Sequence, residues 1–189
     1  MIPESPRFAA SSEELVWNAL RDQLTDTDLL ISGQRVTDHT KDHEIDIVAA
    51  IDGAGIMCLE VKGGGIWHDK HSWWQERPGR PPKRIDPVMQ VRNACYALRD
   101  FIEDDPQWTM GRVRWDHMVV FPHSELPLEF ALPDCPRWKI IDRTQLHQIM
   151  PLVRKVLLDR ADGSPAIDAV GLGQLRAALG GRGLPQRDV

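Results

Sequence analysis

The chain has few of the features that would take it out of the ordinary globular class. Its 189 residues include three cysteines, Cys58, Cys95 and Cys135. Their wide spacing gives no CxxC pair and no even disulfide set, which excludes a zinc ribbon and suits a reducing compartment. Long hydrophobic runs are also missing. The longest uncharged apolar stretch, Ile47 to Ile51, is far short of the roughly 20 residues that a membrane helix needs. Residues 1–10 contain Glu4 and two prolines where a signal peptide would have an apolar run, so the expected location is cytoplasmic, with no membrane partner. No GxxxxGK[ST] loop is present, so no nucleotide-driven motor is expected. What remains is a balanced composition, 42% hydrophobic and 27% charged, which rules out disordered, collagen-like and coiled-coil chains. The length fits one domain with appendages and can bury a proper core.

The net charge of −5 hides an asymmetry. Residues 1–60 carry 4 basic and 12 acidic residues, residues 61–100 carry 8 and 4, and residues 101–189 carry 11 and 12. A basic island therefore follows an acidic first third. Acidic clusters beside a basic strip suit metal-assisted phosphate chemistry, although solvated surfaces give the same counts.

Periodicity predicts a helix over 12–24, with Leu15, Val16, Ala19, Leu20 and Leu24 as its apolar face and Ser11 with Glu14 as a capping box. Extended segments follow at 29–31, 44–51 and 56–62, the last two joined as a hairpin by Asp52-Gly53-Ala54-Gly55. Residues 66–85 read as a small hairpin plus an irregular Pro-rich loop. A second helix starts at Asp86-Pro87 and carries an apolar stripe of Val91, Ala94, Cys95, Leu98, Phe101 and Ile102. Short strands at 118–121 and 138–141 precede helical patterns at 144–159, interrupted by Pro151, and at 167–179. This order predicts an α/β fold with a mixed central sheet flanked by helices and a helical C-terminal extension. The expected divisions are a lead at 1–10, a core at 11–125, completing elements at 126–180 and a tail at 181–189.

The chemically informative segment is Glu44-Ile-Asp46-Ile-Val, then the turn, then Glu60-Val-Lys62-Gly63-Gly64. If the hairpin turns over 52–54, paired residue numbers add to 106, which sets Asp46 opposite Glu60 and Glu44 opposite Lys62. Two carboxylates at cross-strand distance repel unless a cation or proton lies between them, and oxygen ligands of this kind suit Mg²⁺ or Mn²⁺. A two-residue turn would instead point Asp46 away. Lys62 emerges on the face of Glu60, where an ammonium can orient water or offset phosphoryl charge.

Asp46, Glu60-Val-Lys62, a preceding helix with Glu14 and a following helix with Gln90 resemble the PD-(D/E)xK nuclease superfamily. With Gly63-Gly64, Trp73 and Pro87-Val-Met-Gln90 added, residues 11–125 resemble more specifically its nuclease-related domain, or NERD, family. That resemblance implies a restriction-endonuclease-like core that hydrolyses phosphodiester bonds with Mg²⁺, Mn²⁺ being a possible substitute. It implies Asp46 and Glu60 as metal ligands, Lys62 as the aid to the attacking water, and Glu14 and Gln90 as supporting residues. DNA is the favoured substrate, in processing, repair or defence. Relatives are often fused to helicase or kinase regions; 126–189 resembles neither, so the chain is a free-standing form or the front of something longer, with a helicase or other DNA-processing protein as a possible partner.

Simpler roles compete at each position. Glu14 has the capping box, Glu44 and Lys62 can form an ion pair, and Gln90 can be a polar helix flank. Arg77, Arg80, Lys83 and Arg84 with Trp73 can bind nucleic acid, cations on phosphates and an indole on a base, or can be a solvated loop and a packed ring. His68 and His71 lack the further ligands that zinc requires. The competing functional class is a nucleic-acid-binding or protein-interaction module of the same fold without turnover.

Overall fold

The computed structural model describes residues 1–37, 41–159 and 163–180; the tail expected at 181–189 lies outside the described residues. A five-stranded sheet has the order β1 (Leu29–Thr37), β2 (Asp42–Ile51), β3 (Gly55–Val61), β7 (Trp115–Phe121) and β8 (Ile140–Asp142). β1, β2 and β3 pair antiparallel, whereas β3, β7 and β8 are parallel. Helix α2 (Pro87–Glu103) supplies Val88, Val91, Ala94, Cys95, Leu98 and Ile102 to one face of this sheet, where α4 (Ala169–Gly180) adds Leu172, Leu175 and Leu179. On the other face α1 (Ser11–Arg21) and α3 (Ile149–Asp159) enclose a second core with Val16, Trp17, Leu20, Val153 and Leu157. Both faces of the central strands are therefore covered, and every residue of β3 is buried. The result is the mixed sheet between helices that the sequence predicts.

Several boundaries differ for physical reasons. Helix α1 has no side-chain cap; Ala10 is its N-cap, and the Glu13 carboxylate accepts from Ala9 N–H at 3.2 Å. Ser11 and Glu14 thus form no capping box. Strand β1 runs well past Ile31 because Gly33 takes a positive φ of 58° and lets the ladder continue on its far side. Pro151 does not interrupt α3, because it occupies the first turn, where an amide proton has no intrahelical acceptor. Residues 144–148 form turns and a short 3₁₀ segment ahead of it.

The largest correction concerns 66–85. Instead of a hairpin with an irregular loop, this segment is a three-stranded antiparallel sheet of β4 (Ile66–His68), β5 (Trp73–Arg77) and β6 (Arg80–Ile85). Pro78-Gly79 makes the β5–β6 turn, with Gly79 at φ 68°. Two prolines fit in β6 because it is an edge strand with a register shift, where Pro81 and Pro82 face Glu76 between the Gln75–Lys83 and Arg77–Arg80 pairs.

Candidate active site

The β2–β3 hairpin has the register expected from the 52–54 turn: Ile51 pairs with Gly55 and Ile47 with Leu59. The ladder ends there. On the other side of β2 the pairing with β1 skips one position, so that Gly33 with its positive φ faces Asp46. Asp46 thus sits where β2 loses backbone partners on both sides. Lys62 N–H bonds Val120 O on β7 at 3.0 Å, so the preceding Val61 N–H points toward β2, where Asp46 Oδ2 accepts it at 2.7 Å. A carboxylate replaces the ladder carbonyl, which anchors Asp46 beside Glu60 without a backbone pair between them. The predicted Glu44–Lys62 pairing is not part of the ladder.

Glu60 is the one acid in a fully buried strand, and its side chain is 0% exposed. One oxygen, Oε1, forms an ion pair with Lys62 Nζ. The other, Oε2, has no hydrogen-bond partner. Burial, and then the negative charge of Asp46, pushes the Glu60 carboxyl up to about 8 against the opposing pull of Lys62. Asp46 is raised to about 6, chiefly by burial and further by Glu13 and Glu44, while Val61 N–H and Lys62 oppose the shift. For Lys62, burial acts to lower the value, but Glu60 and Asp46 outweigh it and hold the ammonium above its ordinary range. The site therefore gathers more acids than cations in a poorly solvated place, where both carboxyls hold their protons above the ordinary range.

Not every predicted residue joins this cluster. Glu14 lies on the exposed face of α1. Its neighbour Glu13 is the helix acid that interacts with Asp46 and Lys62, and burial raises its carboxyl. Including Trp17 in the apolar stripe would have revealed this, since Glu13 lies one helical turn before it. Gln90 is exposed in the first turn of α2, where its backbone N–H bonds Asp86 O at 3.1 Å. Trp73 is buried at 4% exposure, with its ring centroid 5.3 Å from those of both Phe121 and Phe130, and it locks the small sheet to the core. Arg77 donates through Nε and Nη2 to Pro81 O at 3.1 and 2.9 Å, closing its own hairpin. Arg80, Lys83 and Arg84 are exposed.

The Gly-Gly run after Lys62 has a steric purpose. A Cβ on Gly63 would lie 2.6 Å from Ser12 Oγ, so glycine lets the N-terminus of α1, and Glu13 with it, close on the site. Gly64 has φ 78° and donates to His123 Nδ1 at 3.2 Å.

Among the described residues, no group of three or more His, Cys, Asp or Glu side chains is gathered to hold a metal ion. Two neighbouring carboxylates still fit Mg²⁺, which keeps several waters and takes its other ligands from substrate phosphates. The orphaned, buried Oε2 of Glu60 is an acceptor with an unmet need for a cation.

This mixed sheet, with Asp46, Glu60 and Lys62 at its interrupted hairpin, belongs to the restriction-endonuclease-like class. A model of the nuclease-related domain, NERD, matches residues 9–122, and the chain belongs to that family. No curated protein matches it.

Proposed function

We propose that the protein hydrolyses phosphodiester bonds of nucleic acid, with DNA favoured, using a divalent cation held by Asp46 and Glu60. The observation that carries this reading is the buried Glu60 carboxylate with one oxygen on Lys62 and the other unpartnered, beside Asp46. When bound, Mg²⁺ supplies Lewis-acid polarisation of a phosphoryl oxygen.

The chain's own groups set the rest. Val61 N–H donates to Asp46 Oδ2 and so anchors that carboxyl near Glu60 and Lys62. Lys62, held protonated by its acidic neighbours, is a donor and a fixed positive charge, so it orients the attacking water or stabilises phosphoryl charge and does not act as a base. Glu13 closes the side nearest α1 and adds to the negative field.

Incubation of the purified protein with linear, nicked and single-stranded DNA, with Mg²⁺ or Mn²⁺ and with EDTA, tests the proposal. Cleavage that needs the cation supports it. Binding without cleavage under either cation would assign the chain to the competing class of nucleic-acid-binding module.

A further inference from the structure

We infer that the outward face of the small sheet β4–β5–β6 is a stacking platform for unpaired nucleotides, built by Trp67, Trp74 and Arg84. This inference rests on the nucleic-acid reading above and adds to it a substrate form, single-stranded or frayed ends, and a second binding surface.

Register places these residues together. Trp67 pairs with Trp74, and Trp74 pairs with Arg84, so the three side chains form one row across three strands on a single face. The opposite face carries Ile66 and Trp73, both buried, and seals the small sheet onto Phe121 and Phe130. The division of labour among neighbouring tryptophans is clear: Trp73 packs inward, while Trp67 is 39% exposed and Trp74 is partly exposed. An indole in water loses the apolar burial that tryptophan usually finds, and cross-strand pairing puts two such rings on one solvent-facing side of the sheet.

The platform is also held in place. Trp74 Nε1 donates to Asp69 Oδ2 at 2.7 Å, and Asp69 Oδ1 accepts from His71 and Ser72 N–H at 3.0 and 2.9 Å. The ring is thus oriented before any ligand arrives. Arg84, exposed at the end of the row, brings a positive charge to the same face, and Arg80 adds another at the hairpin tip. Aromatic faces combined with cations along an extended surface suit bases and backbone phosphates of a single strand, whose unstacked bases expose their π-faces. A duplex keeps its bases stacked on one another and offers nothing to an indole except by fraying.

The platform is close to the chemistry. Trp67 follows Lys62 by five residues, at most about 17 Å of extended chain. A strand whose end is unpaired at the indoles can therefore present a bond a few nucleotides away to Asp46, Glu60 and Lys62.

The test is anisotropy of fluorescein-labelled oligo(dT) and of a blunt duplex, in EDTA so that cleavage cannot interfere. Wild-type protein should bind oligo(dT). The W67A/W74A variant should lose about tenfold or more of that affinity, W67F should stay within about threefold of wild type, and duplex affinity should hardly change. The salt slope of oligo(dT) binding should be kept in W67A/W74A and reduced by about 0.7 in R84S. Circular dichroism and the melting temperature verify that each variant is folded, and W67A alone, on the most exposed ring, serves if the double variant is not. No binding of oligo(dT) by the wild type, equal losses on both ligands, or unchanged affinity in W67A would each overturn the inference. The cleavage assay reports separately: a protein that binds single strands through these indoles but cleaves nothing would refute the nuclease reading and leave the platform standing.

Discussion

Replacing Glu60 with Gln should make the metal-free protein more stable while removing its response to divalent cations. The carboxyl goes from an ordinary 4.5 to about 8 on folding. At pH 7 it is ionised in the unfolded chain but mostly protonated in the fold, and the cost of that proton uptake is about 1.4 kcal/mol per pH unit above the unfolded value, or roughly 3 kcal/mol. Because the folded value is raised, the folded state binds more protons between about 4.5 and 8, so apo stability is fullest below this window and falls as pH rises through it. The neutral amide of the E60Q variant has no such proton to take up, but it returns a weaker bond to Lys62 than the carboxylate does, so we expect a net gain of about 1–3 kcal/mol at pH 7. Urea unfolding in EDTA from pH 4.5 to 8.5 measures this directly. Wild-type stability should decline over the range, and the E60Q profile should be flatter, keeping only the decline caused by Asp46 below about 6. Adding Mn²⁺ should raise the wild-type midpoint and leave that of E60Q unmoved. An E60Q protein less stable than wild type at pH 7, with the same pH slope, would refute the view that Glu60 is held at an electrostatic cost.

Other changes should separate roles around the site. Lys62→Ala should leave Mn²⁺ affinity unchanged or higher, since it removes a competing positive charge, while single-turnover cleavage falls by about tenfold or more. Glu13→Gln should alter cleavage rate or metal affinity more than Glu14→Gln, measured side by side, because the structure couples Glu13 to Asp46 and Lys62. Gly63→Ala should cost about 1–3 kcal/mol in urea unfolding, as its Cβ meets Ser12 Oγ at 2.6 Å. Replacing Arg80, Lys83 and Arg84 with Ser should weaken duplex binding alike across unrelated sequences and lower the salt slope by about 0.9 for each phosphate that is no longer neutralised.

The central hairpin was legible from the sequence because alternation, a Gly-rich turn and an acid-acid-lysine pattern all act within 19 residues, Glu44 to Lys62. Its register stayed open between a turn over 52–54 and a two-residue turn, and the pairing of Ile51 with Gly55 decides for the first. What was not legible depends on contacts between distant segments. Glu13 and Glu14 are adjacent, and only the packing of Trp17 against the sheet decides which one faces Asp46. Three neighbouring prolines and a glycine, 78–82, suggest a loop, yet an edge strand with a bulge accepts them because its outer amides need no partner. Trp73 and Trp74 are likewise adjacent, and strand alternation sends one into the core and the other to the surface, a choice that could be made only with the strand and its partner known. Asp46 is reached by two separate interruptions, the end of the β2–β3 ladder at Ile47–Leu59, beyond which Val61 N–H meets its carboxylate, and Gly33 on β1, a strand whose length the sequence underestimates.

The most direct test of the central claim is calorimetric titration of Mn²⁺ into the wild-type protein and into D46A and E60A, each verified as folded. A site built on the Asp46 and Glu60 carboxylates predicts one binding event in the wild type that takes up the cation with release of protons, and loss of at least tenfold in affinity in each variant. Equal Mn²⁺ affinity in all three proteins would contradict it.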